Sequence, residues 1–427
     1  MKLFIVILFL IQSGLGVYGQ PIEAILNAKE VERVEKILSA DDMQGREAGT
    51  PGIDKAADFI SSEFKKAGLQ TLNKNGSYKQ DFAMVTPKFS NASCTFDNEA
   101  VDIKNLVVVT CQSGLYINEK SGYEKIKLDA GKNLNAEAQK FVRSGKNYLV
   151  LVDTSYSRNF NRLTNIKRQL FKIENSVVFV LTTGNPQTFT VEARHEITEL
   201  KLANIVGALP GKNKNDEYVI FSAHYDHLGI RKPIAGDSIY NGANDDAAGT
   251  TAVMMLAKYF KALNNNERTI IFVAFTAEEK GGYGSQYFSR QLDPEKVVAM
   301  FNIEMIGTES KWGRNSAYIT GYEKTDMGSI LQKNLEGSGF TFYPDPYTTQ
   351  NLFYRSDNAT LARLGVPAHT ISTSKMDSEP NYHKPTDHIE TLDMLNMAEI
   401  IKSIALSSKT IIAGKDTPSR VKVEELR

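Results

Sequence analysis

Residues 269–285 read TIIFVAFTAEEKGGYGS, and this stretch limits the fold more than any other. Ile270 to Phe275 is an unbroken apolar run, partly β-branched, which reads as a strand buried on both faces. It stops at two adjacent acids, Glu278 and Glu279, with Gly281, Gly282 and Gly284 close behind. Strand ends of this kind are where open α/β sheets hold their ligands. Adjacent carboxylates repel, and the one cation beside them is Lys280. A metal ion is the partner such a pair asks for. Taken alone, two neighbouring glutamates more often form a solvated acidic turn; the rest of the chain reverses those odds.

The chain has 427 residues, with 50 basic and 50 acidic side chains. That length suits one large domain or two ordinary ones. The balanced charge speaks against a nucleic-acid surface or an acidic tail. Lys2, the apolar run Leu3 to Ile11 and the small-residue region Ser13 to Gly19 read as a secretory signal peptide cut after Gly19. The expectation is a secreted or periplasmic protein with no stable membrane association after cleavage. Export permits a disulfide, and Cys94 with Cys111 is the one pairing available. Sequons stand at Asn75, Asn91 and Asn358.

Helical spacing marks Ile22 to Ser39 and Ile53 to Ala67, with Gly68 as the stop and the turn-rich GREAGTPG between them. Leu106 to Val109, Tyr148 to Val152 and Ser176 to Thr182 read as strands in a region, 93–198, without metal or catalytic spacing; its lone His195 reads as surface or structural. From Leu202 onward strands alternate with helices: Ala203 to Leu209, Tyr218 to Ala223, helix Thr250 to Leu263, Ile270 to Phe275, Val297 to Ile303, Tyr318 to Thr320, helix Thr325 to Gly337, helix Ala359 to Leu364, Ala368 to Ser372, and a closing helix Leu392 to Ile411. The fold expected is α/β, a mixed and largely parallel central sheet flanked by helices, with a smaller inserted α/β or β-rich domain.

Five strand ends or following loops carry metal-type side chains: His224 and Asp226 in SAHYDHLG, Asp245 in NGANDDAAG, Glu278 and Glu279, Glu304 in FNIEMIG, and His383 in NYHKPTDH. In such a sheet these ends converge on one edge. Imidazoles with carboxylates suit zinc best, with manganese or cobalt as alternatives. His224 and Asp226 are two apart on a strand and share a face, so the carboxylate can hold the imidazole's other N–H. Asp387 can do the same for His383. Of Glu278 and Glu279, one can bind metal while the other stays free as a base. Gly242 and Gly249 allow a tight turn around Asp245. His227 and His388 read as neighbours of the motifs rather than ligands, and His369 as a hydrogen-bonded histidine inside a strand. A single HxD is weak; the joint pattern carries the reading.

The ordered set HYDHLG, GANDDAAG, TAEEKGGYGS, NIEMIG, RSDN and YHKPTD resembles the M28 family of zinc peptidases, of the aminopeptidase Y and S type. GREAGTPG and its following helix are similar to that family as well, and the likeness covers roughly 30–85 and 200–405. The residues themselves mark a signal peptide at 1–19 and a charged, loose tail at 416–427; the resemblance adds a catalytic domain made of 20–92 and 199–415 and an inserted domain at 93–198 where many members carry a protease-associated domain. It implies two zinc ions per chain, one on His224 and Glu304, the other on Glu279 and His383, with Asp245 bridging. It makes Glu278 the general acid/base, and Asp226 a supporting catalytic residue. It also implies a cis peptide at Asp245–Asp246, an oxyanion-stabilising role for Tyr382, and Arg355 to Asn358 lining the cleft. Glu304 stands where many members have Asp.

Peptide substrates follow, and no nucleic acid. Water shared by two zinc ions is acidified, Glu278 takes its proton, and the proton passes to the leaving amine. Removal of N-terminal residues is the first expectation, and the Asp377 to Glu379 segment is a candidate to hold the free amine. Carboxypeptidase action, glutaminyl cyclisation on a single zinc, a non-catalytic binding protein and a metal-free structural domain are the rivals.

Overall fold

The computed structural model describes residues 22–72 and 76–427. The signal-peptide reading and the Asn75 sequon lie outside those residues. The described chain forms two compact units, one of them Lys79–Asn204 and the other built from the residues before it together with Ile205–Arg427. The insertion is longer at both ends than the 93–198 read from sequence. Its boundaries fall at the start of one long strand, Lys79–Phe96, and inside another, Phe189–Leu209.

In the larger unit a mixed sheet runs in the order Thr341–Pro344, Ser316–Ile319, Ala368–Ser372, Val297–Ile303, Lys214–His224, Arg268–Phe275 and the Ile205–Leu209 end of the last long strand. The four strands from Ala368–Ser372 to Arg268–Phe275 are mutually parallel, in a register that pairs His224 with Phe275 and Ser222 with Asn302. Every residue of Arg268–Phe275 is buried, as the apolar run requires. Ile271, Val273 and Phe275 join one core cluster with Ile220 and Met300. Phe272 stacks on Phe221, which also meets Phe260 and Phe301. Each fully buried ring of this kind contributes about 2–3 kcal/mol of transfer free energy.

Helix Ala28–Leu38 is shorter than the Ile22 to Ser39 segment read from sequence, and Pro51–Ala67 starts earlier than the Ile53 read for it. Asn27 caps the first by accepting the Glu30 N–H at 3.1 Å, which splits it from the short turn Ile22–Ile25. Gly68 closes the second in the left-handed conformation. The closing helix is Met394–Ser407, followed by a short Lys409–Ile412. No helix among the described residues is long and apolar enough to cross a membrane.

Residues 416–427, expected to be loose, are held down. The buried Arg268 guanidinium donates to the Asp416 carbonyl and to Thr417 Oγ1, both at 2.6 Å. Arg420 donates to the carbonyls of Pro294 and Val297 at 3.1 and 3.0 Å, and Val421 is 4% exposed. The charges in this segment hid anchors that depend on distant backbone carbonyls.

In the smaller unit a four-stranded sheet runs Leu106–Val109, Val177–Leu181, Tyr148–Val152, Glu124–Leu128, with helix Leu134–Arg143 joining the last two strands in sequence. Both its faces are apolar and buried. Cys94 and Cys111 are free thiols, so the one possible bridge is not made. Burial pushes Cys94 up to about 12. Cys111 Sγ instead accepts the Ile173 N–H at 3.4 Å. His195 is buried, its Nε2 3.4 Å from Lys167 Nζ, and burial together with that cation lowers it to about 4.

Candidate metal centre

Parallel strands bring their C-terminal ends to one edge, and the acids and histidines arrive there with them. His224 is the last residue of Lys214–His224, Glu278 and Glu279 follow Arg268–Phe275, and Glu304 follows Val297–Ile303. His383 comes from the loop after Ala368–Ser372, with φ of 55°. Asp245 sits in the turn Ala243–Ala247, and the peptide joining it to Asp246 is cis.

Asp245 is the centre of the arrangement. Its Oδ1 lies 3.2 Å from His224 Nε2, and its Oδ2 lies 3.2 Å from His383 Nε2. Glu304 Oε1 is 3.7 Å from His224 Nε2 on the first side. On the second side Glu279 Oε1 is 3.3 Å from His383 Nε2 and 2.9 Å from His227 Nδ1. The donor atoms of His224, Asp245 and Glu304 lie within 4.8 Å of one another, as do those of His227, Asp245 and Glu279. All five ligands named from the sequence therefore meet, and His227 joins them. The sequence reading set His227 aside as a neighbour of the motif. The chain leaves the strand at His224, and the following turn of backbone brings His227 to the cluster.

Charges of opposite sign crowd this edge. Burial would lower His224, but the carboxylates of Asp245 and Glu304 outweigh it and raise the imidazole well above its ordinary value. His383 rises to about 10, against burial, because of Asp245 and Glu279. Glu279 falls to about 2: burial and Asp245 push it up, and His227 with His383 pull it down further. Glu278 moves the other way, well above its ordinary value, through burial first and then the nearby Glu304, Asp357 and Glu279 charges. Two neighbouring glutamates thus differ, one held ionised by imidazoles and one that prefers a proton. Buried His224 Nε2, both ring nitrogens of His227 and Glu279 Oε1 have no hydrogen-bond partner. Orphaned donor atoms aimed at common points, with this mix of imidazole and carboxylate, fit a divalent cation of the zinc type.

The surrounding groups differ from expectation in two places. His224 Nδ1 faces the backbone carbonyl of Asp226 at 3.1 Å, while the Asp226 carboxylate accepts the N–H groups of Glu278 at 3.0 Å and Glu279 at 3.3 Å. Asp226 therefore holds the acid pair rather than the imidazole. Asp387 does not serve His383; its two oxygens accept Asn244 N–H at 2.9 Å and Asp245 N–H at 3.0 Å. In both cases a loop backbone needed a partner, and side-chain spacing along the sequence carries no trace of that need. Lys280, the one cation beside the acid pair, reaches Glu47 at 2.8 Å.

Other supports were not read from the sequence. Asp246 accepts His224 N–H at 3.2 Å, Gly249 N–H at 2.9 Å and Met305 N–H at 3.1 Å, tying three loops together. Its adjacency to Asp245 was the only available sign. Buried Arg46, in GREAGTPG, donates to the carbonyls of Leu38, Tyr225, Asn241 and Gly242 at 2.6–2.8 Å. Ser356 donates to Glu304 Oε2 and receives the Asn302 amide at 2.8 Å, which fixes the longer arm of this acid. At Gly242, with φ of 59°, a Cβ would meet Asp245 O at 2.3 Å and His227 Cγ at 2.5 Å, so only glycine fits.

Tyr382 stacks on His383 with ring centroids 3.9 Å apart, and its hydroxyl faces Arg355 Nη2 at 3.4 Å. Glu379 accepts Ser374 Oγ at 3.0 Å, and Asp377 is exposed. His388 points to Asp237 at 3.4 Å, apart from the cluster. His369 is hydrogen-bonded at both nitrogens, to the Thr320 carbonyl and Thr325 Oγ1, each at 2.8 Å. A narrow cleft of about 50 Å³ opens beside Glu304, lined by Met305, Tyr318, Leu352, Met376 and Tyr382 among others.

A probable leucine aminopeptidase of Trichophyton verrucosum (strain HKI 0517) is 30% identical over 216 residues, 48% of this chain and 56% of that protein. Aminopeptidase YwaD of Bacillus subtilis (strain 168) is 23% identical over 226 residues, 51% of this chain and 47% of that protein. The chain thus spans about half the length of the curated relatives it matches. Among solved structures, an aminopeptidase from Aneurinibacillus sp. strain AM-1 shares the fold with a TM-score of 0.53 at 18% identity, over 95% of this chain and 99% of that one. A zinc aminopeptidase from Bacillus subtilis gives the same TM-score and identity over 93% and 98%. The model for peptidase family M28 matches residues 204–407, the segment that supplies every side chain of the cluster.

Proposed function

We propose that this chain is an exported di-zinc peptidase that removes N-terminal residues from peptides. One zinc would be held by His224, Asp245 and Glu304, the other by Asp245, Glu279 and His383. The observation that carries the reading is Asp245, whose two oxygens each face a different imidazole at 3.2 Å. A carboxylate placed so is built to serve two cations at once. The names of its relatives, leucine aminopeptidase and aminopeptidase, support the reaction class.

When bound, the zinc ions supply an acidified water and polarise the peptide carbonyl. The chain's own residues do the rest. Glu278, desolvated among other acids, favours holding a proton. It takes one from the attacking water and returns it to the departing amine nitrogen. Asp226 fixes the Glu278 backbone, so the carboxyl meets the reacting atoms in one orientation. Tyr382 stands over His383 with its hydroxyl free to donate to the developing oxyanion. The small cleft beside Glu304, with Met305, Leu352 and Met376 among its lining, favours a first residue with one modest apolar side chain.

The test pairs metal content of the purified chain with hydrolysis of amino-acyl reporter amides whose N-termini are free or blocked. About two zinc per chain and cleavage of free-amine substrates only is the expected result. Equal cleavage of blocked substrates, or cyclisation of N-terminal glutamine on one zinc, would replace it with a rival activity. No bound metal after zinc is added back would overturn the reading.

A further inference from the structure

We propose that His227 is a fourth protein donor at the position formed by Asp245, Glu279 and His383, which makes this position the tighter of the two and leaves the open vertex at His224, Asp245 and Glu304. The inference rests on the zinc reading above and assigns its two positions unequal roles.

His227 is 1% exposed, and neither ring nitrogen has a hydrogen-bond partner. Its Nδ1 nevertheless lies 2.9 Å from Glu279 Oε1 and 3.8 Å from Asp245 Oδ2. Close approach outside hydrogen-bond geometry is what two donor atoms show when both aim at a third point between them. His369 gives the contrast, a buried histidine kept for structure with both nitrogens paired at 2.8 Å.

Four of the six edges of the proposed donor set are 2.9, 3.8, 3.3 and 3.2 Å. Zinc with nitrogen and oxygen ligands at about 2.0–2.1 Å has tetrahedral edges of about 3.3 Å. The set brackets that value. Two features hold the ring in place: the His227 N–H donates to the Arg46 carbonyl at 3.3 Å, and Gly242 leaves the space the ring occupies. The other position has three protein donors. Zinc sites closed by four protein donors serve structure, whereas catalytic sites keep one vertex for water or substrate. By that rule water and substrate exchange beside Glu304, which is also where the cleft opens.

The experiment strips the full chain of metal, returns one equivalent of zinc, and counts imidazole ligands by X-ray absorption at the zinc edge. Two imidazoles per zinc is the expected result. One imidazole overturns the inference and leaves the di-zinc reading standing if a second equivalent binds and activity returns. Failure to bind zinc at all overturns both. Competition titration of His227→Ala adds an independent measure. The tighter dissociation constant should weaken at least about tenfold and the weaker one stay put, with His388→Ala changing neither. An unchanged tighter constant overturns the inference; if His227→Ala fails to fold, the imidazole count on the unaltered chain decides.

Discussion

At the scale of single residues, the two neighbours Glu278 and Glu279 face different surroundings. Glu279 meets His227 and His383, whereas Glu278 is buried among other acids. Exchanging Glu278 for glutamine keeps the shape and removes the proton acceptor. Glu278→Gln should retain the zinc content of the parent chain while kcat falls by about 10²–10⁴; metal analysis beside steady-state kinetics measures both. Full turnover would show that the proton goes elsewhere. Of the proposed ligands, His224, Glu279 and Glu304 were legible because they stand at or just after the end of an apolar run; Asp245 and His383 sit in a turn and a loop and were read from the motifs around them. His227 and the true partners of Asp226 and Asp387 were not. They depend on loop backbones turning through angles that side-chain spacing does not encode, such as Ala277 at φ 56° and His383 at φ 55°.

At the scale of elements, Ala368–Ser372 carries His369 into the centre of the sheet. Burial lowers this imidazole to about 4, against an ordinary value of 6.5. Because the folded state prefers the neutral ring, its contribution is fully present above pH 6.5 and is lost as pH falls towards 4, at a cost of about 3 kcal/mol. Urea unfolding of the metal-stripped chain at pH 7 and pH 4 should therefore show a smaller pH-dependent loss in His369→Gln than in the parent. An equal loss would mean His369 does not titrate on unfolding. Short buried strands of the larger unit were read to the residue, as with Val297–Ile303 and Ala368–Ser372. Long half-exposed strands were not. Lys79–Phe96 contains Pro87 and a polar stretch from Lys88 to Ser93, which obscure any alternation.

At the scale of the whole molecule, the last residues act as a clasp on Arg268. Removing 416–427 takes away the Asp416 carbonyl and Thr417 Oγ1 and leaves two guanidinium bonds of that buried cation unmade. Stability should drop by about 3 kcal/mol, seen as a melting temperature lower by roughly 5 °C or more. A melting curve that coincides with the parent would assign the clasp no weight. The α/β class was legible from the alternation of strands and helices after Leu202. The clasp was not, because a charged terminal stretch looks the same whether its backbone is solvated or bound.

Arg46 belongs to none of the strands that carry the cluster, and it lies far outside the 204–407 stretch that the family model matches. Yet four carbonyls, of Leu38, Tyr225, Asn241 and Gly242, converge on its guanidinium, three of them on loops that frame His224 and Asp245. A lysine has a single nitrogen and cannot bond four acceptors arranged around a planar fork. The family stretch is therefore not a self-sufficient piece of protein. Its reactive edge is moulded by a side chain that the ribosome has delivered long before the first metal ligand emerges.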